Sequence, residues 1–279
     1  MIVKTLIENT SKNKHFRFEH GLSIYIEFLD KRILFDLGSS SLFVENANKL
    51  GIDLSKIDFV VISHGHYDHG GGLKAFLEIN HTAKVFVNKY AYDQYFSLHN
   101  EGMKYIGLDH SLKTNSQITF VGNNYQVWDN VFLFSNVIGI QYFPLMNKSL
   151  YRLKNKKYIL DDFIHEQNLL IKDQFETVLF IGCGHRGVVN IMEYVRTKYN
   201  LIPTHVIGGF HMSNRNLGIF EEINTIQEVA KFLKKSNSLF YTGHCTGNIP
   251  HQILKKRLGN KLQKMSAGKT LISNLEENL

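Results

Sequence analysis

Apolar Leu22, Ile24, Ile26 and Phe28 alternate with Ser23, Tyr25 and Glu27. A period of two marks a strand. The run Ile33-Leu34-Phe35 beyond Asp30 and Lys31 supplies its hairpin partner. Helical spacing over 41–50 leads to an all-apolar stretch at 59–62, the pattern of a strand buried on both faces. After Gly70-Gly-Gly72 the pattern predicts a helix over 73–79 and a strand over 84–87. The first third of the chain therefore alternates strand, loop, helix and strand.

From 88 to 162 the periodicity loosens, with strand candidates at 117–121 and 131–134 among many Tyr, Asn and Phe. This stretch reads as an elaboration inserted in one domain spanning 1–279. Its aromatic residues Tyr90, Tyr92, Tyr95, Phe96, Tyr105, Trp128, Tyr142 and Phe143 either wall a pocket for a flat ring or form the insertion's own core. Regular alternation then resumes, with strands at 168–171, 177–181, 205–207 and 239–242 and helices at 188–199, 219–235 and 250–258. The fold class is α/β, and no repeat recurs at a fixed period.

Composition narrows the class further. With 43% hydrophobic and 20% charged residues and 3 Pro in 279, disordered and fibrous structures are excluded. The net charge of +7 raises the question of an anionic partner. Its densest groups, Lys231, Lys234, Lys235 and Lys255, Lys256, Arg257, fall at helical spacing beside apolar positions. They read as solvated helix faces rather than a nucleic-acid stripe. Two cysteines, Cys183 and Cys245, are too few for a disulfide framework. No apolar run approaches the roughly 18 residues that span a bilayer. The opening residues, broken by Lys4 and Glu8, do not read as a signal peptide. A cytoplasmic protein with no membrane partner is the expectation.

The sharpest chemical signal is Ser63-His-Gly-His-Tyr-Asp-His69, three histidines and an aspartate in six positions directly after an apolar strand. His64 and His66 can turn toward one point, and Asp68 and His69 toward a second. Imidazole and carboxylate suit zinc and other first-row divalent ions. Three later histidines follow an apolar strand and glycine in the same way: His185 after Ile181-Gly-Cys-Gly, His211 after Val206-Ile-Gly-Gly-Phe, and His244 after Tyr241-Thr-Gly. Each alone reads as a structural histidine. Together, downstream of a cluster with too few ligands to close two metal shells, they read as its complement, because strand ends in an α/β sheet converge on one crevice.

These motifs identify the chain as a member of the metallo-β-lactamase superfamily by resemblance. Within it the chain resembles the branch of the dihydropterin–ribofuranosylaminobenzene-phosphate synthases of methanopterin biosynthesis and their bacterial relatives. That branch match rests on Glu19-His-Gly-Leu-Ser23, Leu34-Phe-Asp-Leu-Gly38, the cluster through Gly71, Asp161-Asp-Phe-x-x-Glu-Gln167, Gly182-Cys-Gly-His-Arg-Gly187, Ile207-Gly-Gly-Phe-His211 and Tyr241-Thr-Gly-His-Cys-Thr-Gly247. The resemblance implies an αββα sandwich with metals at one edge. It implies two divalent ions, zinc with manganese or iron as alternatives. His64, His66 and His185 would hold one ion, and Asp68, His69 and His244 the other. Many superfamily members place a bridging aspartate where this chain has His211. An imidazole with one lone pair bridges poorly, so His211 either ligates one ion or stands beside the pair as a proton donor. Cys183 either faces the same way as His185 or is an inert buried thiol.

Asp36, at a strand end, is read as the acceptor that orients a ligand histidine. Glu19 and His20 either face the pocket or merely end the first strand, while Asp161, Asp162 and Glu166 either position substrate or are solvated. Asp68 and His211 are the candidate catalytic groups. The expected chemistry is attack by a metal-bound hydroxide on a small phosphate or carboxylate substrate, or the condensation of a pterin with a ribosylated aminobenzene phosphate. A nucleic-acid phosphodiesterase and a non-catalytic metal or ligand sensor are the competing readings. Flavodiiron chemistry is disfavoured, since those relatives carry glutamate at the position of His66.

Overall fold

A computed structural model describes residues 1–273, which fall into two compact units. One comprises Met1–Tyr92, Leu108–Val121 and the residues from Met265; the other comprises Asp93–Gly107 and Gly122–Lys264.

The first unit is built on a seven-stranded sheet. Its order is Thr270–Ile272, Ile2–Ile7, Ser23–Phe28, Lys31–Phe35, Phe59–Ile62, Lys84–Asn88 and Ile118–Val121. The first four strands pair antiparallel, as a tight hairpin at Leu29 and Asp30 allows, and the rest pair parallel. Parallel neighbours need crossovers; the helices Leu42–Lys49 and Leu73–Ile79 lie on two of them. Phe43, Ala47, Leu73, Phe76 and Leu77 share a core with Leu34, Val60, Ile62, Val85 and Val87. Phe59 and Val61, pointing the other way, are buried as well. Burial on both faces is why 59–62 shows no alternation.

The second unit repeats the plan. Its seven strands run in the order Leu262–Lys264, Leu239–Thr242, His205–Gly208, Thr177–Ile181, Gln167–Lys172, Val131–Ser135 and Asn124–Trp128, the first four parallel. Helices Val188–Tyr199, Ile223–Lys235 and Asn248–Leu258 lie on the crossovers. Along Ile223–Lys235 the buried residues Ile226, Val229, Ala230 and Leu233 keep a helical period, while Lys231, Lys234 and Lys235 are exposed. Each fully buried aliphatic side chain contributes about 1.5–3 kcal/mol. These lysines thus form a solvated face, as their spacing implies.

The 88–162 stretch is not one contiguous insertion. Ile118–Val121 closes the edge of the first sheet, and Asn124–Trp128 and Val131–Ser135 close the edge of the second. Only Tyr95–His99, Gly102–Tyr105, Leu150–Lys154 and Lys157–Leu160 form an additional four-stranded antiparallel sheet. Its aromatic residues are divided accordingly: Tyr92 belongs to the core of the first unit, while Phe96 packs edge-on against Tyr105 and Tyr158 in the second. The helix expected over 219–235 begins at Ile223, because Ile219–Phe220 pairs with Ser213–Asn214 as a small ribbon.

Candidate metal-ligand clusters

In the first unit the parallel strands Lys31–Phe35 and Phe59–Ile62 end side by side, bringing Asp36 to Ser63. Asp36 is fully buried and takes a left-handed backbone (φ 61°), a conformation that Asp and Asn tolerate better than most residues. Its carboxylate accepts the Ser63 N–H and hydroxyl, both at 2.7 Å, and the His69 Nδ1–H at 2.6 Å. A carboxylate can only accept, so the His69 proton sits on Nδ1 and Nε2 keeps its lone pair. The histidine that Asp36 accepts from is His69.

His66 is extended (φ −99°, ψ 145°) and opens the single helical turn Tyr67–Gly70, which carries Asp68 and His69 around. The His64 Nε2 and His66 Nδ1 atoms stand 3.0 Å apart, and the His64 and His69 rings lie 4.1 Å apart. The His69 Nε2 is 3.7 Å from Asp68 Oδ2, which also faces His20 Nε2 at 3.3 Å. Glycines make room for this turn. A Cβ on Gly71 would collide with the Ser39 carbonyl, and one on Gly72 with that of Leu37. Glu19 does not merely end a strand: it accepts the N–H groups of Ser39 and Ser40, each at 3.0 Å, and fixes that loop.

In the second unit three parallel strands deliver His185, His211 and His244 just past their carboxyl ends. His211 (φ 47°) and His244 (φ 49°) both hold left-handed backbones, strain of the kind that concentrates at functional sites. The Thr246 hydroxyl accepts the Phe210 N–H at 3.0 Å and lies 2.6 Å from that of Thr242, locking these two turns together.

His185 is held on three sides. Its main-chain N–H donates to Glu166 Oε1 at 2.6 Å, and the next one, of Arg186, donates to Oε2 at 2.9 Å. Asn147 donates from Nδ2 to the His185 carbonyl at 2.8 Å, and its Oδ1 is 3.0 Å from Nδ1. An amide oxygen accepts, so the proton again sits on Nδ1 and Nε2 is the open donor atom. Phe163 stacks on the ring at 4.3 Å and 9°. His211 stands 4.1 Å away on another side.

Burial pushes the Glu166 carboxyl above the usual carboxylate range, and the two amide donors pull the other way. Cys183 and Cys245 are both buried and outside any disulfide. Burial alone would raise the Cys245 thiol. Hydrogen bonding with Cys183 and His211, and the nearby charges of His244 and His211, outweigh it and hold the thiol well below its ordinary value. Asp161 and His165, 3.0 Å apart and buried, form a further acid–imidazole pair against the ring of Tyr95.

Sequence reasoning did not single out Asn147 or His165 and left Glu166 either positioning substrate or solvated. The motif Asp161-Asp-Phe-x-x-Glu-Gln167 held a signal for Glu166; nothing marked Asn147.

Comparison with known proteins agrees with this layout. Residues 17–118, including Asp36 and the 64–69 cluster, match the family model described as the metallo-β-lactamase superfamily. A solved structure titled Tm1679, a metal-dependent hydrolase of the β-lactamase superfamily, is 32% identical, with 98% of this chain and 99% of that one covered and a TM-score of 0.81. The chain belongs to the metallo-β-lactamase superfamily. The uncharacterized protein MJ0448 of Methanocaldococcus jannaschii is 30% identical over 88% of this chain and 91% of its own length. The 7,8-dihydropterin-6-methyl-4-(β-D-ribofuranosyl)-aminobenzene-5'-phosphate synthase of the same organism is 27% identical over 96% of this chain and 95% of its own. The fold, with two mixed seven-stranded sheets, is that of the superfamily. Among the described residues no helix is long and apolar enough to cross a membrane.

Proposed function

We propose that the protein is a metal-dependent enzyme in which His64, His66 and His185 hold one divalent cation and Asp68, His69 and His244 a second. The observation that carries this reading is the matched protonation of two histidines. In one unit Asp36 takes the Nδ1 proton of His69; in the other Asn147 takes that of His185. Both leave Nε2 as an electron-pair donor, the state a metal ligand requires. When bound, such cations supply Lewis acidity and lower the pKa of a coordinated water toward about 7.

The chain's own residues do the rest. Five neutral imidazoles beside Asp68 carry little negative charge, so the loaded centre is cationic and attracts a phosphate or carboxylate. Asp68, facing His20, orients a water by accepting its proton. Glu166 and Asn147 hold His185 in place, and Phe163 shields one face of its ring from solvent. The substrate class is a small anion. The full-length likeness to a pterin-condensing synthase supports a pterin-related phosphate compound, either hydrolysed or joined to its partner. Zinc fits the donor set, and manganese and iron fit it also.

The test measures phosphodiester hydrolysis and condensation of a dihydropterin with a ribosylated aminobenzene phosphate, for the parent and His66→Ala side by side. Loss of either activity in the variant, with the fold retained by circular dichroism, supports the reading. Equal activity in both overturns it.

A further inference from the structure

The additional four-stranded sheet of the second unit carries an apolar face open to solvent. Its strands run in the order Lys157–Leu160, Leu150–Lys154, Tyr95–His99 and Gly102–Tyr105, and the register sets Leu160, Tyr151, Phe96 and Tyr105 in one row across all four. Side chains return to the same face every second residue, so Tyr158, Leu153, Leu98 and Met103 join them. None of these residues is charged. The opposite face is the inward one: Tyr95 and Ser97 are buried, Tyr95 lies against His165, and Arg152 pairs with Asp162 at 2.7 Å. On the outward face Leu160 is 56% exposed, Tyr158 48%, Tyr105 45% and Leu98 39%. Its aromatic centre is prearranged, the Phe96 ring standing 5.5 Å from that of Tyr105 and 4.9 Å from that of Tyr158, both edge-on. An antiparallel sheet with one wet face ordinarily alternates apolar and polar residues. The consecutive Tyr158, Ile159 and Leu160 instead follow the pattern of a strand covered on both sides.

We propose that this face is the contact between two copies of the chain, packed sheet against sheet about a twofold axis. The four most exposed side chains alone leave about 350 Å² of mostly apolar surface open, and the half-buried Phe96, Met103, Tyr151 and Leu153 raise the total to about 500 Å². That is near the upper end of the roughly 300–600 Å² that a monomer leaves in one patch. It also supplies about two-thirds of the roughly 800 Å² that each partner gives to a standard interface, whose apolar centre is completed by a polar rim. Exposed Lys104 and Lys157, on the two edge strands, furnish that rim. Lysine on an edge also discourages strand addition there, so the copies meet through faces rather than edges. A twofold contact closes on itself: each face covers the other, and no third copy can add. A nucleic acid fits less well, because it needs cations turned toward its phosphates and this face has none.

Sedimentation equilibrium of the full chain tests the assignment. The parent is expected to show twice the single-chain mass of 32.2 kDa. Leu160→Glu and Leu98→Glu each set a charge within the face and are expected to weaken association at least about 30-fold, the effect of losing a central interface anchor. Both side chains are exposed, so circular dichroism should not change; they lie on different strands, and should one variant misfold the other decides. Phe175→Glu, at an 87% exposed apolar residue outside this sheet, is expected to dimerise as the parent does, which separates this face from general surface stickiness. A parent that keeps the single-chain mass up to about 100 µM, or a dimer that both sheet variants leave unaltered, overturns the proposal. A monomeric parent whose binding of single-stranded RNA is lost in Leu160→Glu overturns it also, and gives the face to nucleic acid.

Discussion

Asp36→Asn isolates the link between a buried hydrogen bond and metal affinity. The substitution keeps shape and, because Asn tolerates a left-handed backbone as Asp does, leaves the φ of 61° unstrained. One carboxylate oxygen becomes an NH₂ donor. If it replaces Oδ2, it confronts the Nδ1–H of His69 at 2.6 Å and the Ser63 hydroxyl at 2.7 Å. His69 relieves the clash by moving its proton to Nε2, the atom that must carry a lone pair. Losing one charge-assisted bond costs about 1.5–3 kcal/mol of stability, or roughly 3–12 °C in the melting of the metal-free protein. Loss of an orienting carboxylate weakens metal binding about 10–100-fold, which is about 1.4–2.7 kcal/mol. Chelator competition gives the affinity, and circular dichroism melts of stripped protein give the stability. Asp36→Ala, which adds backbone strain, should melt lower still. A variant Asp36→Asn that binds zinc within about twofold of the parent would refute the reasoning.

Asn147→Ala removes the acceptor that fixes the His185 tautomer and the donor to its carbonyl. The expected result is about 10–100-fold weaker metal binding with secondary structure unchanged in circular dichroism, and unchanged affinity would contradict it. Glu166 gives a pH signature. Burial raises its folded carboxyl above the ordinary value of 4.5, so the folded state holds this proton more tightly than the unfolded chain. Its contribution to stability is therefore full below about 4.5 and is lost as pH rises through the raised folded value. In Glu166→Gln that decline should vanish, seen as a smaller fall in urea-unfolding free energy from pH 4.5 to 8 in stripped protein; an equal fall in both proteins counts against it. Gly208 (φ 145°) leaves no space for a Cβ, which would fall on the Ile181 carbonyl within the parallel pair. Gly208→Ala should unfold at markedly lower urea than the parent, and an unchanged midpoint would show that the strands part at little cost.

What could be read from the sequence followed the range of each interaction along the chain. The all-apolar run at 59–62 announced a buried strand, and the density of His64, His66, Asp68 and His69 announced a local cluster, because neighbours within one turn share a site whatever the tertiary structure. Asp36 was legible from its place at a strand end, although its partner Ser63 lies 27 residues away. Asn147 was not, since an amide in the short helical turn Leu145–Ser149 gains its meaning only from a histidine 38 residues on. Glu166 misled for a related reason: an acid before a strand is usually solvated, and only the fold closes two amides 19 and 20 residues away over it. The 88–162 stretch was obscure because its edge strands, half exposed and short, carry weak periodicity.

The central claim is that His64 and His185 hold the same ion. Metal content by plasma mass spectrometry of purified His64→Ala, His185→Ala and the double variant tests it most directly. The account predicts that each single variant loses the same metal equivalents relative to the parent and that the double variant loses no more than either. Parent-level metal in either single variant, or additive losses in the double, would contradict it.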